Sequence, residues 1–161
     1  GRAFARRLKG FAVDVLAYDK YKTGFSDAWV KEAGMSEIFE KTDILSLHVP
    51  LTDETRSLVD ENYLATFKKD IYLINTARGG LVDSQALADA LANGDIAAAA
   101  IDVLPQEPPV DGDPLLDYEG DNLIVTPHIA WATDEARQNA IDELAANTRA
   151  FLDGIERNRI V

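Results

Sequence analysis

The chain has 161 residues, 47% of them hydrophobic, which allows one sizeable core and sets a single soluble globular domain as the first expectation. Its formal net charge of −12 argues against nucleic acid and anionic membranes as partners, because an acidic surface repels polyanions across a Debye length of about 8 Å at physiological salt. There is no cysteine, which excludes disulfides and thiolate chemistry and agrees with a cytoplasmic setting, and no apolar run of about 18 residues or signal-peptide pattern points to a membrane or to export.

Residues 1–9 read as a short helix that starts at Gly1 and Arg2, followed by Gly10 and an apolar strand over 13–19 ending on Asp19. A glycine at a helix start, with an acidic residue at the end of the next strand about 20 residues on, is the second half of a dinucleotide-binding βαβ unit. Gly1 would be the last glycine of a G-x-G-x-x-G turn, and Gly1 and Arg2 become the first candidate cofactor contacts. Asp19 would accept hydrogen bonds from the adenosine ribose, and its charge would favour NAD over NADP. An aspartate in that place can equally cap a turn. The pattern puts the first strand and the first two glycines of the unit ahead of Gly1, so the chain is expected to be an N-terminally truncated fragment.

Further along, Phe25, Trp29 and Ala33 recur at helical spacing, which predicts a helix with Trp29 packed in the core. Short apolar runs at 44–49, 71–76, 98–103 and 123–127 read as strands covered on both faces. Between them lie a helix over 84–91, stopped by Asn93-Gly94, and a long one over 134–152, stopped by Gly154. Residues 105–122 hold Pro108-Pro109, Asp111-Gly112-Asp113-Pro114 and Gly120 and are expected to be a long loop. The alternation predicts an α/β fold of the Rossmann type, a doubly wound parallel sheet with helices on both faces. Ligands of such sheets sit beyond the carboxyl ends of the strands, where this chain carries Asp19, His48, Arg78, Asp102 and His128.

Four segments then stand in a telling order: Leu45-Ser46-Leu47-His48-Val49-Pro50-Leu51-Thr52, Leu73-Ile74-Asn75-Thr76-Ala77-Arg78-Gly79-Gly80-Leu81-Val82-Asp83, Ala100-Ile101-Asp102-Val103-Leu104-Pro105-Gln106-Glu107-Pro108-Pro109 and Thr126-Pro127-His128-Ile129-Ala130-Trp131-Ala132. Through nearly its whole length the chain resembles the NAD-binding domain of the D-2-hydroxyacid dehydrogenases. Its Ile-Ala-Trp-Ala run is most similar to the glycerate dehydrogenase and hydroxypyruvate reductase members.

The resemblance implies hydride transfer between NAD(H) and a small D-2-hydroxy or 2-oxo acid, glycerate, hydroxypyruvate or glyoxylate being favoured. It assigns Arg78 to the substrate carboxylate, and a planar guanidinium at a strand end suits a bidentate grip. The following Gly79-Gly80 would let the backbone approach the ligand. His128 would supply and remove the proton as imidazole titrates near neutrality, and Glu107 would favour its charged form.

Asp102 would accept from the nicotinamide carboxamide, or cap the next turn. Thr76 and Ala77 would offer backbone groups near the nicotinamide, with His48, Val49 and Pro50 bordering the cofactor; His48 is cofactor-adjacent or structural. Trp131 is either a wall of the substrate pocket or ordinary packing. Arg78 as a surface salt-bridge partner, His128 as a core histidine and Glu107 as a solvated loop carboxylate are the blander alternatives. Two histidines far apart, with no HxxxH or HxH cluster, give no metal site.

The expected organisation is a cofactor domain over 1–132 and a C-terminal helix, 133–161, that in the family crosses back to the substrate domain. The full-length enzyme would be a homodimer, and the isolated chain would bind cofactor poorly and turn over little. A non-catalytic dinucleotide-binding or regulatory module of the same fold is the rival function.

Overall fold

A computed structural model describes residues 1–68 and 70–160. The chain divides into two compact units, Gly1–Pro127 and His128–Val161.

The first unit opens with α1 (Arg2–Arg7), which runs into a 3-10 turn at Leu8–Phe11, then β1 (Val15–Ala17) and β2 (Val30–Glu32). After α2 (Met35–Lys41) and β3 (Ile44–Leu47) come α3 (Glu61–Ala65), β4 (Tyr72–Asn75) and a 3-10 turn at Gly79–Leu81. The unit ends with α4 (Ser84–Asn93), β5 (Ala98–Ile101) and β6 (Leu123–Val125). All strand pairs are parallel, and they form two sheets, β1-β2 and β3-β4-β5-β6. No helix among the described residues is long and apolar enough to cross a membrane.

Local chemistry sets the helix ends. The Asp60 carboxylate accepts from the Tyr63 N–H at 2.8 Å to start α3, and Asp83 accepts from the Ala86 N–H at 3.0 Å to start α4. Gly94 closes α4 in the left-handed region at φ 71, where a side chain would be strained. The Leu87, Ala88, Ala90 and Leu91 stripe of α4 is buried, joining Val59, Ile71, Leu73, Leu81 and Ile96 in the core. Phe39, Tyr63 and Phe67 add a cluster of tilted and edge-on rings with centroids 4.8–5.4 Å apart.

The expected helix around Trp29 does not form. Asp27 turns its carboxylate back onto the N–H groups of Trp29 and Val30, and Glu32 holds those of Gly24 and Phe25. These side-chain bonds compete with helical ones and favour a turn, and the β-branched Val30 enters β2. Trp29 is therefore 52% exposed instead of buried, with the Lys9 ammonium 4.5 Å from its ring centroid. Residues 105–122 carry no helix or strand, as their turn formers predict.

The second unit holds α5 (Asp134–Leu152), capped by the Thr133 hydroxyl at the Ala136 N–H, 3.2 Å, and carrying Asp134 and Glu135 in its first turn, where the helix dipole favours them. Gly154, at φ 69, lies just past its end.

Candidate active site

Register alone gathers much of the site. Leu47 pairs with Asn75, Asn75 with Ile101, and Ile101 with Val125, so these four residues form one row across the sheet. The next residue of each strand, His48, Thr76, Asp102 and Thr126, therefore starts the same carboxyl edge.

At the end of β4 the backbone is held by a side chain. Asn75 is fully buried; its Oδ1 accepts from the Ala77 N–H at 3.0 Å and its Nδ2 donates to the Arg78 carbonyl at 3.0 Å. Thr76, Ala77 and Arg78 are thus locked into a turn, with Arg78 extended at φ −147, ψ 138 and exposed. The guanidinium donates from Nη1 to the Ala77 carbonyl at 2.6 Å, which steers it along its own turn.

The loop carrying Glu107 is seated against this turn. A Cβ on Gly79 would fall 2.0 Å from the Leu104 carbonyl carbon and 2.4 Å from the Pro105 nitrogen, so only glycine admits that peptide. The space left by the missing side chain of Gly79 is filled by the protein's own backbone. At Gly80 the neighbours are the Leu51 side chain and Arg56 Nη1. The Glu107 Oε1 accepts from the Leu104 N–H at 3.0 Å, tying the exposed carboxylate to the same loop.

Asp102, only 4% exposed, follows β5 and pairs its N–H with the Asn75 carbonyl at 2.9 Å. The Thr126 hydroxyl donates to Asp102 Oδ1, which draws the ends of β5 and β6 together. A buried carboxylate held this way is strand-end architecture before it is anything else.

His48 leaves β3 next to the first turn of α1. Its ring centroid lies 5.6 Å from that of Phe4, and a Cβ on Gly1 would touch its Cβ at 3.6 Å. Nε2 stands 3.0 Å from Ser46 Oγ. Desolvation of the ring lowers the His48 pKa below its ordinary value. Val49 packs on the core, and the Pro50 carbonyl accepts from the Thr55 hydroxyl at 2.7 Å. Arg2 is the first helical residue of α1 and is exposed.

Asp19 stands apart from this cluster in kind. It is exposed beyond β1, and its Oδ1 accepts from the N–H groups of Tyr21 at 2.9 Å and Lys22 at 3.0 Å. The turn-capping role is the one the structure displays.

His128 and Trp131 belong to the second unit. His128 adopts a left-handed backbone, φ 55, a conformation that costs energy outside glycine and collects at functional positions. The Trp131 indole N–H donates to the His128 carbonyl at 2.8 Å, and Trp131 itself is 57% exposed, not core-packed.

Asn75 was the residue that sequence reasoning passed over. Its signal was present: one amide in the otherwise apolar run Leu73-Ile74-Asn75, at the alternating position that shares the buried face with Leu73.

The model of the D-isomer specific 2-hydroxyacid dehydrogenase NAD binding domain matches residues 1–130. Glycerate dehydrogenase of Methylorubrum extorquens is 43% identical over 98% of this chain and 48% of its own length. Glyoxylate reductase of Thermofilum pendens is 45% identical over 96% of this chain and 46% of its own. Among solved structures, the NAD-complexed D-isomer specific 2-hydroxyacid dehydrogenase of Lactobacillus delbrueckii ssp. bulgaricus superposes with a TM-score of 0.91 at 30% identity, over 100% of this chain and 52% of that one. The chain therefore spans about half the length of these relatives. With a parallel sheet whose carboxyl edge carries the motif residues, and a family match over 1–130, the chain belongs to the D-isomer specific 2-hydroxyacid dehydrogenases, as a member of their NAD-binding domain family.

Proposed function

We propose that the full-length protein is an NAD-dependent dehydrogenase of small D-2-hydroxy acids, reducing hydroxypyruvate or glyoxylate and oxidising the matching hydroxy acid. The observation that carries this reading is the exposed Arg78 turn at the end of β4, where one guanidinium nitrogen is held by the Ala77 carbonyl and the rest of the fork is left for a ligand. A carboxylate is the ligand such a fork suits, by two parallel charge-assisted bonds.

The donor set also fits a dinucleotide. Asp19 beyond β1 and Asp102 beyond β5 are acceptors suited to ribose hydroxyls and a carboxamide, and Thr76 and Ala77 line the nicotinamide side of the β4 end, the Ala77 N–H being taken by Asn75. Gly1 and Arg2 at the start of α1, with His48, Val49 and Pro50 after β3, complete the cofactor contacts. The Asp19 charge favours NAD over NADP, through the carboxylate oxygen not engaged in its turn. When bound, NADH supplies the hydride that reduces the carbonyl carbon. Arg78 orients the 2-oxo acid by its carboxylate, which turns an encounter of separate molecules into a reaction between held ones. His128 donates the proton that the resulting alkoxide needs, and takes it back in the oxidising direction. By the family resemblance Glu107 is the acidic partner of this proton transfer, and Trp131 forms part of the pocket wall.

In this reading residues 1–132 are the cofactor domain and 133–161 the helix that returns to a substrate domain; the protein is a cytoplasmic homodimer. The substrate class is supported by the glycerate dehydrogenase and glyoxylate reductase relatives.

The test is NADH oxidation by the full-length protein with hydroxypyruvate or glyoxylate. Arg78→Leu should raise KM about a hundredfold, and His128→Asn should lower kcat by about the same factor at little changed KM. NADH binding with no turnover on any 2-oxo acid would replace the dehydrogenase by a non-catalytic dinucleotide-binding module.

A further inference from the structure

We propose that Asn75 is a positioning residue for the substrate carboxylate, acting through the turn it holds between β4 and Arg78; the inference rests on the role given to Arg78 above. A fully buried amide in an apolar strand is costly unless both its ends are satisfied. Here both ends are spent two and three residues further on, Oδ1 on the Ala77 N–H and Nδ2 on the Arg78 carbonyl. Those two bonds fix the Thr76–Ala77 and Arg78–Gly79 peptide units, which bracket Ala77 and Arg78. The Asn75 main-chain carbonyl takes the Asp102 N–H at 2.9 Å, so one residue sets the arginine turn against the buried aspartate of the neighbouring strand. Leucine would fill the same space beside Leu73 at no polar cost. What asparagine adds is a planar donor and acceptor of matching span, which no other short side chain carries without first taking up a proton.

This logic predicts an unusual variant. Asn75→Asp keeps the acceptor for Ala77 but, when ionised, sets a carboxylate against the Arg78 carbonyl with no donor between them. Burial makes that carboxyl resist ionisation, and once protonated its O–H replaces the lost N–H. Substrate affinity of the Asp variant should therefore depend on pH in a way that wild type does not share. A purely structural role for Asn75 predicts no such recovery.

The experiment uses the full-length protein with hydroxypyruvate or glyoxylate and NADH, comparing wild type, Asn75→Asp, Asn75→Ala and Arg78→Leu from about pH 5.5 to about pH 8.5, each value taken as a ratio to wild type at the same pH. Near pH 8, Asn75→Asp should raise KM about tenfold, with kcat and NADH affinity within about threefold, and the KM ratio should return toward one near pH 5.5. Asn75→Ala should raise KM by at least as much at every pH; if it does not fold, the Asp variant carries the test by itself. An unchanged KM ratio for Asn75→Asp near pH 8, or losses shared equally by KM, kcat and NADH affinity with no recovery in acid, would overturn the proposal. If Arg78→Leu leaves KM unchanged, the role of Arg78 has failed; if it raises KM while Asn75→Asp does not, only that of Asn75 has.

Discussion

The four-stranded and two-stranded sheets of the first unit are made of equally short parallel strands, and they hold their candidate residues in opposite ways. Around β4 the side chains of Ile71, Leu73 and Asn75 are fully buried, and the turn that follows is fixed by an amide and by a glycine with no room for a Cβ. Along β1 every residue is only half-buried, Val13 and Tyr18 nearby are about half exposed, and Asp19 sits in solvent closing its own turn. On the proposed roles, the turn that presents Arg78 to substrate is fixed by packing, whereas the residue facing the ribose stands on an exposed turn.

Core truncation tests that contrast most severely. Leu73→Ala should cost about 3 kcal/mol or more of stability, because the cavity it leaves is walled by other fully buried side chains. Leu16→Ala in β1, at a half-buried site, should cost about 1 kcal/mol. Urea unfolding midpoints measure both, and equal losses would mean that the two sheets are equally well packed.

Glycine substitutions come next. Gly79→Ala drives a methyl into the Leu104–Pro105 peptide and should cost about 2 kcal/mol, while displacing the loop that carries Glu107. Gly10→Ala, with nothing within 4 Å of the added carbon, should change stability by less than about 0.5 kcal/mol. A benign Gly79→Ala would mean that the loop adapts, and that the close approach does not position Glu107.

The same contrast decides what could be read from the residues alone. The strand runs of the four-stranded sheet announce themselves because burial on both faces demands continuous apolar residues, and α4 and α5 because caps and stopping glycines frame them. β2 was illegible: its three residues include two charges, and its backbone is directed by Asp27, Ser26 and Glu32 side chains, whose turn chemistry overrode the helical spacing of Phe25 and Trp29. Of the site, Arg78, Asp102 and His128 follow from strand ends and motif order. The work of Asn75 and Gly79 does not, since it consists of contacts whose geometry exists only once β4 and β5 are side by side.

A smaller effect is expected at Asp19. Asp19→Asn keeps an amide oxygen for the Tyr21 and Lys22 N–H groups, so the turn should persist and the Tm should hold. It removes the charge that repels a 2′-phosphate, and the NADH over NADPH preference of the full-length protein should fall about tenfold, or about 1.4 kcal/mol. An unchanged preference would assign cofactor choice to other residues.

The smallest effect lies at His48, where the end of β3 meets α1. Desolvation lowers the pKa of the folded ring, so the fold favours neutral imidazole. In the unfolded chain the ring protonates near the usual value of about 6.5. Between that value and the lower folded one, the unfolded state binds more protons, and stability must rise with pH. The ring's contribution is therefore intact above about pH 6.5 and is lost as the pH falls toward the folded pKa. His48→Gln keeps a hydrogen-bonding partner for Ser46 Oγ without a titrating group, so wild type should lose stability relative to it on acidification from about pH 7.5 to about pH 5.5. Parallel urea midpoints for the two proteins across that window would show that α1 does not desolvate the ring.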